Sequence, residues 1–325
     1  LERPDEKGSV VLECHSNLSV ENECWRTKLL SENWDAPIIF TPSVQFLETL
    51  FGSGTKSVRK MHRLANSIII FDEIQTLPVR TVHMFCNAVN FLVEECGSTV
   101  VLCTATQPLL NAVDSGRGAL TYSAENEIMQ DTDQLFEDFR RVDVIDLRKA
   151  GGYTYEEAAE LAIQEQAQSG SCLLIANTTK VAKEIYQHVK QKFNGEVVHL
   201  SANMCPAHRA EVFEKIKQNL ASEPRRPLIC ISTQVIEAGV DVDFGCVIRC
   251  MAGLDSIAQA AGRCNRHGLR DKGRVLIINI AQNDENIDML TDIVLGQKVT
   301  QRILEDQMCL PVAERLDLLS PENIA

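Results

Sequence analysis

The sequence lacks the features that would mark a membrane-spanning, secreted or disordered protein. No uncharged apolar run approaches the roughly 20 residues of a membrane helix, the first residues do not resemble a signal peptide, and internal repeats are absent. No C-x-x-C pair occurs among the twelve cysteines, several of which lie inside apolar runs such as TVVLC and PLICIS. Scattered cysteines of this kind predict small buried side chains in a reducing cytoplasm, and not a metal site or a disulfide framework.

Positive charge is also scarce. Lys and Arg total 32 against 45 Asp and Glu, which gives a net charge of −13. This acidity argues against a protein that holds nucleic acid by bulk attraction. Residues 205–275 nevertheless carry 11 basic and 8 acidic side chains. Because a few hydroxyls and backbone amides can hold a phosphodiester backbone, the overall charge leaves a local nucleic-acid site open.

Short apolar runs alternate with helical segments along the chain of 325 residues, a length that predicts about two domains. Continuous apolar runs indicate strands that are buried on both faces, and strand–helix alternation indicates a parallel α/β sheet. The predicted strands are Pro37–Phe40, Ser67–Phe71, Thr99–Cys103, Ser171–Ala176, Val197–Leu200, Leu228–Ser232, Gly245–Cys250 and Gly273–Ile280.

Helix signals lie between these runs. Apolar spacing predicts helices over Pro78–Glu95 and Lys180–Phe193, and Thr154 with Glu157 forms a predicted capping box. Between Glu125 and Glu165 there are 12 acidic and 4 basic side chains and only one short strand candidate, Val142–Ile145. We therefore predict an acidic connector between two α/β lobes, of which the first has few strands for a self-sufficient sheet.

Polar side chains follow the predicted strands of the first lobe, where open α/β sheets bind ligands. Asp72 and Glu73 follow one strand, and such adjacent carboxylates suit a hard cation and an activated water, although they also fit a solvated turn. Thr104 and Thr106 follow the next strand, where their hydroxyls suit a hydrogen-bond relay or a helix cap. Taken alone, the cap is the better interpretation of the two threonines.

A second group of polar residues follows the strands of the second lobe. The segment S-T-Q-V-I-E-A-G-V-D ends at Asp241, and Q-A-A-G-R-C-N-R begins at Gln259. Arg263 and Arg266 are three residues apart, so we expect both on one helical face with Gln259, where two guanidinium groups suit a triphosphate.

The order of these segments resembles motifs II, III, V and VI of the superfamily-2 helicases, which have two RecA-like lobes with ATP in the cleft. Gln75 stands in place of the usual His or Asp. Two segments are similar to the CRISPR-associated helicase–nuclease of type I interference systems: SIIIFDEIQTLP and ISTQVIEAGVDVDFGCVIRCMAGLDSIAQAAGRCNRHG. The resemblance covers the chain from about Val11 to Ala325. It implies a partial first RecA-like lobe over 1–110, a connector over 111–153, a second RecA-like lobe over 154–282 and the start of a helical extension over 283–325.

The resemblance also implies roles for individual residues. Asp72 would hold Mg²⁺, Glu73 would activate the hydrolytic water and Gln75 would couple ATP to the second lobe. Thr104 and Thr106 would link hydrolysis to strand movement, and Asp241, beside Gly239, would contact the ribose or the motif VI arginines. The remaining residues divide into a γ-phosphate set and a DNA-backbone set: Gln259, Arg263 and Arg266 face the γ-phosphate, and Thr41, Asn177, Thr178 and Thr233 contact DNA.

The implied activity is ATP-dependent translocation on single-stranded DNA in cytoplasmic antiviral interference, with a type I CRISPR surveillance complex as partner and no membrane contact. The sequence departs from the family at two points. It has no G-x-x-x-x-G-K-[ST] phosphate loop, since Gly52–Ser57 reads G-S-G-T-K-S, and no His-Asp pair for the nuclease. We therefore expect the isolated chain to be inactive as an ATPase.

Three alternatives remain open from the sequence. The chain can pair with a separately encoded N-terminal helicase part that supplies the phosphate loop. It can be a truncated, non-enzymatic module that binds DNA or a surveillance complex. It can also belong to another branch of superfamily 2 with the same ATP chemistry and a different partner.

Overall fold

A computed structural model describes residues 10–14, 25–104, 108–129, 131–223, 226–237, 239–287, 290–311 and 317–320, except the side chains of residues 25–28, 124 and 133. The chain divides into two compact units, Leu1–Gln130 and Asp131–Ile324. None of the helices within the described residues has the length and apolarity required to cross a membrane.

The first unit contains two small parallel sheets. Its strands pair as β1 with β2 and β3 with β4. In chain order the elements are β1 (Val11–Glu13), α1 (Trp25–Asn33), β2 (Ile38–Phe40), α2 (Ser43–Phe51), α3 (Thr55–Met61), β3 (Ile68–Asp72), α4 (Val82–Glu94) and β4 (Thr99–Cys103). The three predicted strands of this lobe and the predicted helix after residue 78 are confirmed, and β1 is an additional strand.

The sheets of the first unit bury only one of their faces. Phe71 of β3 packs edge-to-face against Phe46 and Phe85, with 4.9 Å between ring centroids in each pair. On the opposite face of the same strand, Ile68 is 74% exposed and Ile70 is 64% exposed. The apolar run of β3 therefore has the composition of a strand that is buried on both faces. In this unit, only the face that carries Phe71 is covered.

The second unit is built on one six-stranded parallel sheet with the strand order β5-β10-β9-β6-β8-β7. This confirms the predicted parallel α/β class. In chain order the elements are α5 (Thr132–Asp138), β5 (Val142–Asp146), α6 (Tyr155–Ser169), β6 (Ser171–Ile175), α7 (Thr179–Lys192), β7 (Glu196–Leu200), α8 (Pro206–Ala221), β8 (Leu228–Ser232), β9 (Cys246–Cys250), α9 (Leu254–Ala261), β10 (Gly273–Ile278) and α10 (Thr291–Cys309).

Helices cover both faces of this sheet, so its central strands are wholly buried. Leu174 of β6 packs in one core with Ile185 of α7, and the adjacent Leu173 packs in the other core with Ile216 of α8. Every residue of β6, β8 and β9 is buried. This arrangement is the physical reason for the continuous apolar runs by which the strands were predicted.

The predicted capping box at the start of α6 is confirmed. Thr154 Oγ1 accepts a hydrogen bond from the Glu157 N–H at 3.2 Å, and Glu157 Oε2 accepts one from the Thr154 N–H at 2.8 Å. A hydrogen bond from the Lys149 ammonium and the Thr154 N–H lower the pKa of Glu157 to about 2. The pair satisfies two backbone donors that the first turn of a helix leaves unpaired.

The division of the structure differs from the predicted connector of residues 111–153. The two units separate at residue 130, and β5, predicted as a lone strand in the connector, pairs in parallel with β10 as an edge of the large sheet. Its acidic residues do not prevent this, because Asp143 pairs with Lys272 at 2.8 Å and Asp146 pairs with Arg148 at 2.8 Å. The second half of the acidic segment is therefore part of the second unit.

Two adjacent residues of β3 test whether one sheet face is open in solution. We expect Phe71→Ala to lower the free energy of unfolding by about 3–5 kcal/mol, since it removes a buried aromatic side chain. Ile70→Ala changes a residue on the exposed face, and its expected cost is less than about 1 kcal/mol. Urea unfolding followed by circular dichroism measures both. Equal destabilisation by the two substitutions would show that this face is covered in solution.

Candidate functional site

The first part of the candidate site lies at the carboxyl ends of β3 and β4. Asp72 is the last residue of β3 and is in register with Cys103, the last residue of β4. Glu73 follows with a left-handed backbone (φ 54°) and begins a short 3₁₀ turn over Ile74–Thr76. A non-glycine residue rarely adopts this conformation, which occurs in turns and at functional sites. It turns the chain sharply at the pair of carboxylates.

A chain of hydrogen bonds joins these two strand ends through Gln75. The Gln75 Nε2 group donates to the Glu73 carboxylate, and Thr104 Oγ1 donates to Gln75 Oε1 at 2.5 Å. The Glu73 N–H donates to Asp72 Oδ1 at 3.1 Å. The side-chain amide of Gln75 thus links Thr104, the residue after β4, to the carboxylate of Glu73. Thr106 lies outside the described residues.

The carboxylate of Asp72 fits a magnesium ion that is shared with a phosphate ligand. Asp72 is exposed at the sheet edge, whereas Glu73 and Gln75 are half-buried. Mg²⁺ in nucleotide sites is usually held by one or two carboxylates, water and phosphate oxygens. Within the described part of the chain, no group of three or more His, Cys, Asp or Glu residues could hold a metal by itself.

The glycine-containing segment G-S-G-T-K-S does not have the position of a phosphate loop. Gly52 ends α2, where its N–H donates to Glu48 O at 2.8 Å, and Gly54 precedes α3. A phosphate loop instead connects a strand to a helix. Both its sequence and its place between two helices therefore differ from those of a phosphate loop.

The second part of the candidate site belongs to the second unit and follows β8. Thr233 is 2% exposed, and its N–H donates to Leu200 O at 3.1 Å. A 3₁₀ turn over Gln234–Ile236 leads to Glu237, which is also buried. Burial raises the pKa of the Glu237 carboxyl, and nearby Arg249 partly opposes this shift. Gly239 is exposed and has a left-handed backbone (φ 69°), which glycine adopts readily.

The motif VI arginines do not share a helical face, contrary to the prediction from their spacing. Helix α9 carries Gln259 but ends at Ala261 with Gly262 as its C-cap, so Arg263 and Arg266 lie beyond it. The chain leaves the helix because Cys264 forms a β-bridge with Phe244. Asn265 then adopts φ 48°, and its side-chain amide donates to the carbonyls of Arg141 and Arg270 at 3.0 and 2.8 Å.

The two arginines have different environments in this turn. Arg263 is 6% exposed; its Nε donates to Ile236 O at 3.1 Å and its Nη2 to Glu237 O at 2.7 Å. The Arg266 side chain is 43% exposed and its Nε lies 2.9 Å from Asp241 Oδ1. Asp241 therefore contacts a motif VI arginine, which is one of the two contacts that the resemblance implied for it.

The four residues implied to contact DNA all have structural partners or are buried. Asn177 is 4% exposed, and its amide donates to Met251 O at 2.9 Å and to Glu285 Oε1 at 3.1 Å. Thr178 caps α7 and accepts the Val181 N–H at 3.2 Å. In the first unit, half-buried Thr41 donates to Gln45 Oε1 at 3.2 Å. Thr41 and Thr178 are thus more accessible than Asn177 and Thr233.

Sequence reasoning missed a buried charged group in the second unit. Arg249 lies in β9 with no exposed surface, 2.8 Å from the Glu237 carboxylate. Glu285 belongs to the same neighbourhood, and burial raises the pKa of its carboxyl as well. The sequence does contain one sign of this buried charge. A single arginine interrupts the apolar run G-C-V-I-R-C, although a buried strand otherwise carries uncharged residues.

Comparison with known proteins shows which family the chain resembles. Residues 168–269 match the family model of the C-terminal part of the CRISPR-associated nuclease/helicase Cas3. A CRISPR-associated nuclease/helicase Cas3 from Haloferax volcanii is 26% identical over 337 aligned positions, covering 79% of this chain and 36% of the relative. Another from Methanothermobacter thermautotrophicus is 25% identical over 268, covering 78% of this chain and 30% of the relative. The chain thus spans about a third of the length of these relatives.

Solved structures show the same fold. The structure of T. fusca Cas3-ADP aligns with a TM-score of 0.73 and 17% identity, covering 97% of this chain and 43% of the other. This likeness confirms the predicted α/β fold with RecA-like parallel-sheet lobes. Together with the family match over residues 168–269 and the curated relatives, it confirms the resemblance read from the motifs: the chain is similar to the CRISPR-associated nuclease/helicases Cas3.

Proposed function

We propose that this chain forms part of an ATP-dependent translocase on single-stranded DNA that acts in type I CRISPR interference. The observation that carries the proposal is the hydrogen-bonded chain from Glu73 through Gln75 to Thr104 at the carboxyl ends of β3 and β4. Nucleotide binding is supported by the similar T. fusca Cas3 structures whose names include ATP and ADP. In cells, the site of action is the cytoplasm, which fits the free thiols of the described cysteines.

In the proposed reaction Glu73 orients and polarises the water that attacks the γ-phosphate. Gln75 donates to the Glu73 carboxylate and so restricts its rotation, and the carboxylate is thereby held ready to accept a proton. Asp72, exposed beside it, would hold Mg²⁺, which supplies charge neutralisation for the phosphates when bound. Loss of the γ-phosphate then changes the contacts of Gln75. Because Thr104 is hydrogen-bonded to Gln75, the end of β4 moves with it.

In the second unit Arg266 is the best-placed group to meet the γ-phosphate. Its guanidinium is partly exposed and is paired with Asp241, an exposed carboxylate that a phosphate can replace as partner. Arg263 and Gln259 complete the proposed set, with Arg263 held by two backbone carbonyls of the motif V turn. An arginine supplied in cis stabilises the charge that develops on the transferred phosphoryl group.

Single-stranded DNA and a surveillance complex are the proposed partners. The helicase Lhr of Mycobacterium smegmatis, described as bound to ssDNA and AMP-PNP, aligns over 91% of this chain with a TM-score of 0.54. A chain in a CRISPR RNA-guided surveillance complex in a pre-nicking state aligns over 90% with a TM-score of 0.66. Thr41 and Thr178, the accessible hydroxyls of the DNA set, are our first candidates for phosphate contacts.

A helicase role outside CRISPR interference is the second candidate. The ATP-dependent helicase Lhr-Core of Methanocaldococcus jannaschii is 28% identical over 144 residues, which cover 43% of this chain. The two candidates share the ATP chemistry and differ in the partner. Binding of the complete protein to a crRNA-guided surveillance complex stalled on target DNA separates them, because only the CRISPR function requires that complex.

Of the predictions from the proposed function, the first concerns the chain by itself. We expect the purified 325-residue chain to show no DNA-stimulated ATP hydrolysis, because its sequence contains no G-x-x-x-x-G-K-[ST] segment to hold the β- and γ-phosphates. Phosphate release in the presence of oligo-dT measures this. DNA-stimulated turnover by the chain would contradict the expectation and would mean that other residues hold the phosphates.

The second prediction concerns Glu73 in a longer protein where this segment is joined to a phosphate loop. We expect Glu73→Gln to lower ATP turnover by about 10²–10⁴-fold, the usual contribution of a general base, while ATP binding persists. Glu94→Gln, at an exposed position at the end of α4, is the matched control. Retained turnover in Glu73→Gln would exclude the proposed role of this carboxylate.

The third prediction separates hydrolysis from movement. Thr104→Val keeps the volume of the side chain but removes the hydroxyl that donates to Gln75. In the longer protein we expect DNA unwinding to fall at least tenfold, with ATP turnover changed less than threefold. Thr99→Val, at the exposed start of the same strand, is the control. If unwinding and hydrolysis fall together, Thr104 does not act in coupling.

A further inference from the structure

The strongest unassigned feature of the molecule is the buried guanidinium of Arg249. Its strand neighbours, Ile175 of β6 and Ile277 of β10, are fully buried, and Arg249 itself has no exposed surface. A buried ion pair costs desolvation that apolar residues of similar volume avoid, so it is weak evidence for a role in stability. The contacts of the guanidinium therefore indicate what else it does.

Arg249 contacts motif V and the segment that follows β6. Its Nη1 donates to Asn177 Oδ1 at 2.7 Å, two residues after the end of β6, and to Cys250 O at 2.9 Å. Its Nε lies 2.8 Å from Glu237 Oε1 in motif V, an ion pair without hydrogen-bond alignment. One side chain thus fixes the distance between the residue that follows β6 and the turn that follows β8.

The same turn holds the first arginine of motif VI. The carbonyls of Ile236 and Glu237 accept the Nε and Nη2 groups of Arg263, which is itself buried. The backbone position of Glu237 therefore sets the position of the Arg263 guanidinium, and Arg249 pairs with the side chain of that glutamate. Asn177 extends the network to α10, since Met251 O accepts both Asn177 Nδ2 at 2.9 Å and Gln297 Nε2 at 2.7 Å.

We propose that Arg249 is a positioning residue, which holds the motif V turn through Glu237 and Asn177 and thereby orients Arg263. It does not touch the nucleotide. The proposal concerns the geometry of Arg263, and only its consequence for ATP hydrolysis rests on the function proposed above.

The direct test is the side-chain Nε–H of Arg263, observed by ¹H–¹⁵N NMR of the chain labelled at arginine Nε and assigned with Arg263→Lys. Arg249→Met alone leaves the Glu237 carboxylate buried without its cation, which destabilises a fold. The test variant is therefore Arg249→Met/Glu237→Gln, which removes both charges. We expect a dispersed backbone spectrum, a shifted Arg263 Nε–H signal and at least tenfold faster hydrogen exchange at that group.

The matched control removes another ion pair of the same sheet. Arg274 of β10 pairs with buried Glu165 at 2.8 Å, and its guanidinium also donates to Gln168 Oε1 at 2.9 Å. Arg274→Met/Glu165→Gln is expected to leave the Arg263 signal unchanged. Arg249→Lys keeps the charge but cannot reach two partners with a planar fork, so its exchange rate is expected between those of the wild type and the double variant.

An unchanged Arg263 signal in a folded Arg249→Met/Glu237→Gln variant would overturn the proposal and leave Arg249 a structural residue. If that variant does not fold, Arg249→Lys decides the question, and an Arg263 exchange rate equal to that of the wild type would likewise overturn the proposal.

In the longer protein, the double variant is expected to lower kcat at least tenfold with the KM for ATP within threefold, since an arginine that stabilises developing charge acts in the transition state.

The two measurements separate this inference from the proposed function. If the Arg263 signal changes in the chain but the longer wild-type protein, with its phosphate loop, does not hydrolyse ATP, the proposed function is contradicted and the positioning role remains intact. A wild-type ATPase whose double variant keeps both its kcat and its Arg263 signal contradicts the positioning role alone.

Discussion

The parallel arrangement of the strands is the constraint on which the rest of the second unit depends. In a parallel sheet every carboxyl end lies at the same edge, so residues far apart in sequence converge there. Asn177 and Glu237 follow β6 and β8 and both contact the Arg249 guanidinium, and Met251, which follows β9, accepts a hydrogen bond from Asn177. The helices on both faces bury the strands and leave this edge as the place where polar groups can act.

The first unit uses the same edge of its smaller sheet. The carboxyl ends of β3 and β4 are in register, which brings the Asp72–Glu73 pair next to Thr104. The bridging amide of Gln75 has a donor and an acceptor on one planar group, so it can contact a carboxylate and a hydroxyl together. A histidine or aspartate at this position would make a different pair of contacts. In the proposed function, Gln75 is therefore the residue whose contacts would change when ATP is hydrolysed.

Much of the second unit could be predicted from the sequence because its central strands are buried on both faces and appear as apolar runs. The capping box of α6 was equally clear, since its two side chains satisfy local backbone donors. The end of α9 could not be predicted from the spacing of Arg263 and Arg266, because a tertiary β-bridge at Cys264 stops the helix. The position of β5 also depends on distant partners, Lys272 among them. Local patterns do not record such contacts.

The central proposal is that the Glu73 carboxylate activates the water that attacks the γ-phosphate of ATP. The most direct measurement is a crystal structure of the longer protein with Mg²⁺ and a non-hydrolysable ATP analogue. We predict a water within about 3.2 Å of the Glu73 carboxylate and in line with the γ-phosphate. A bound γ-phosphate with no such water beside Glu73 would contradict the account.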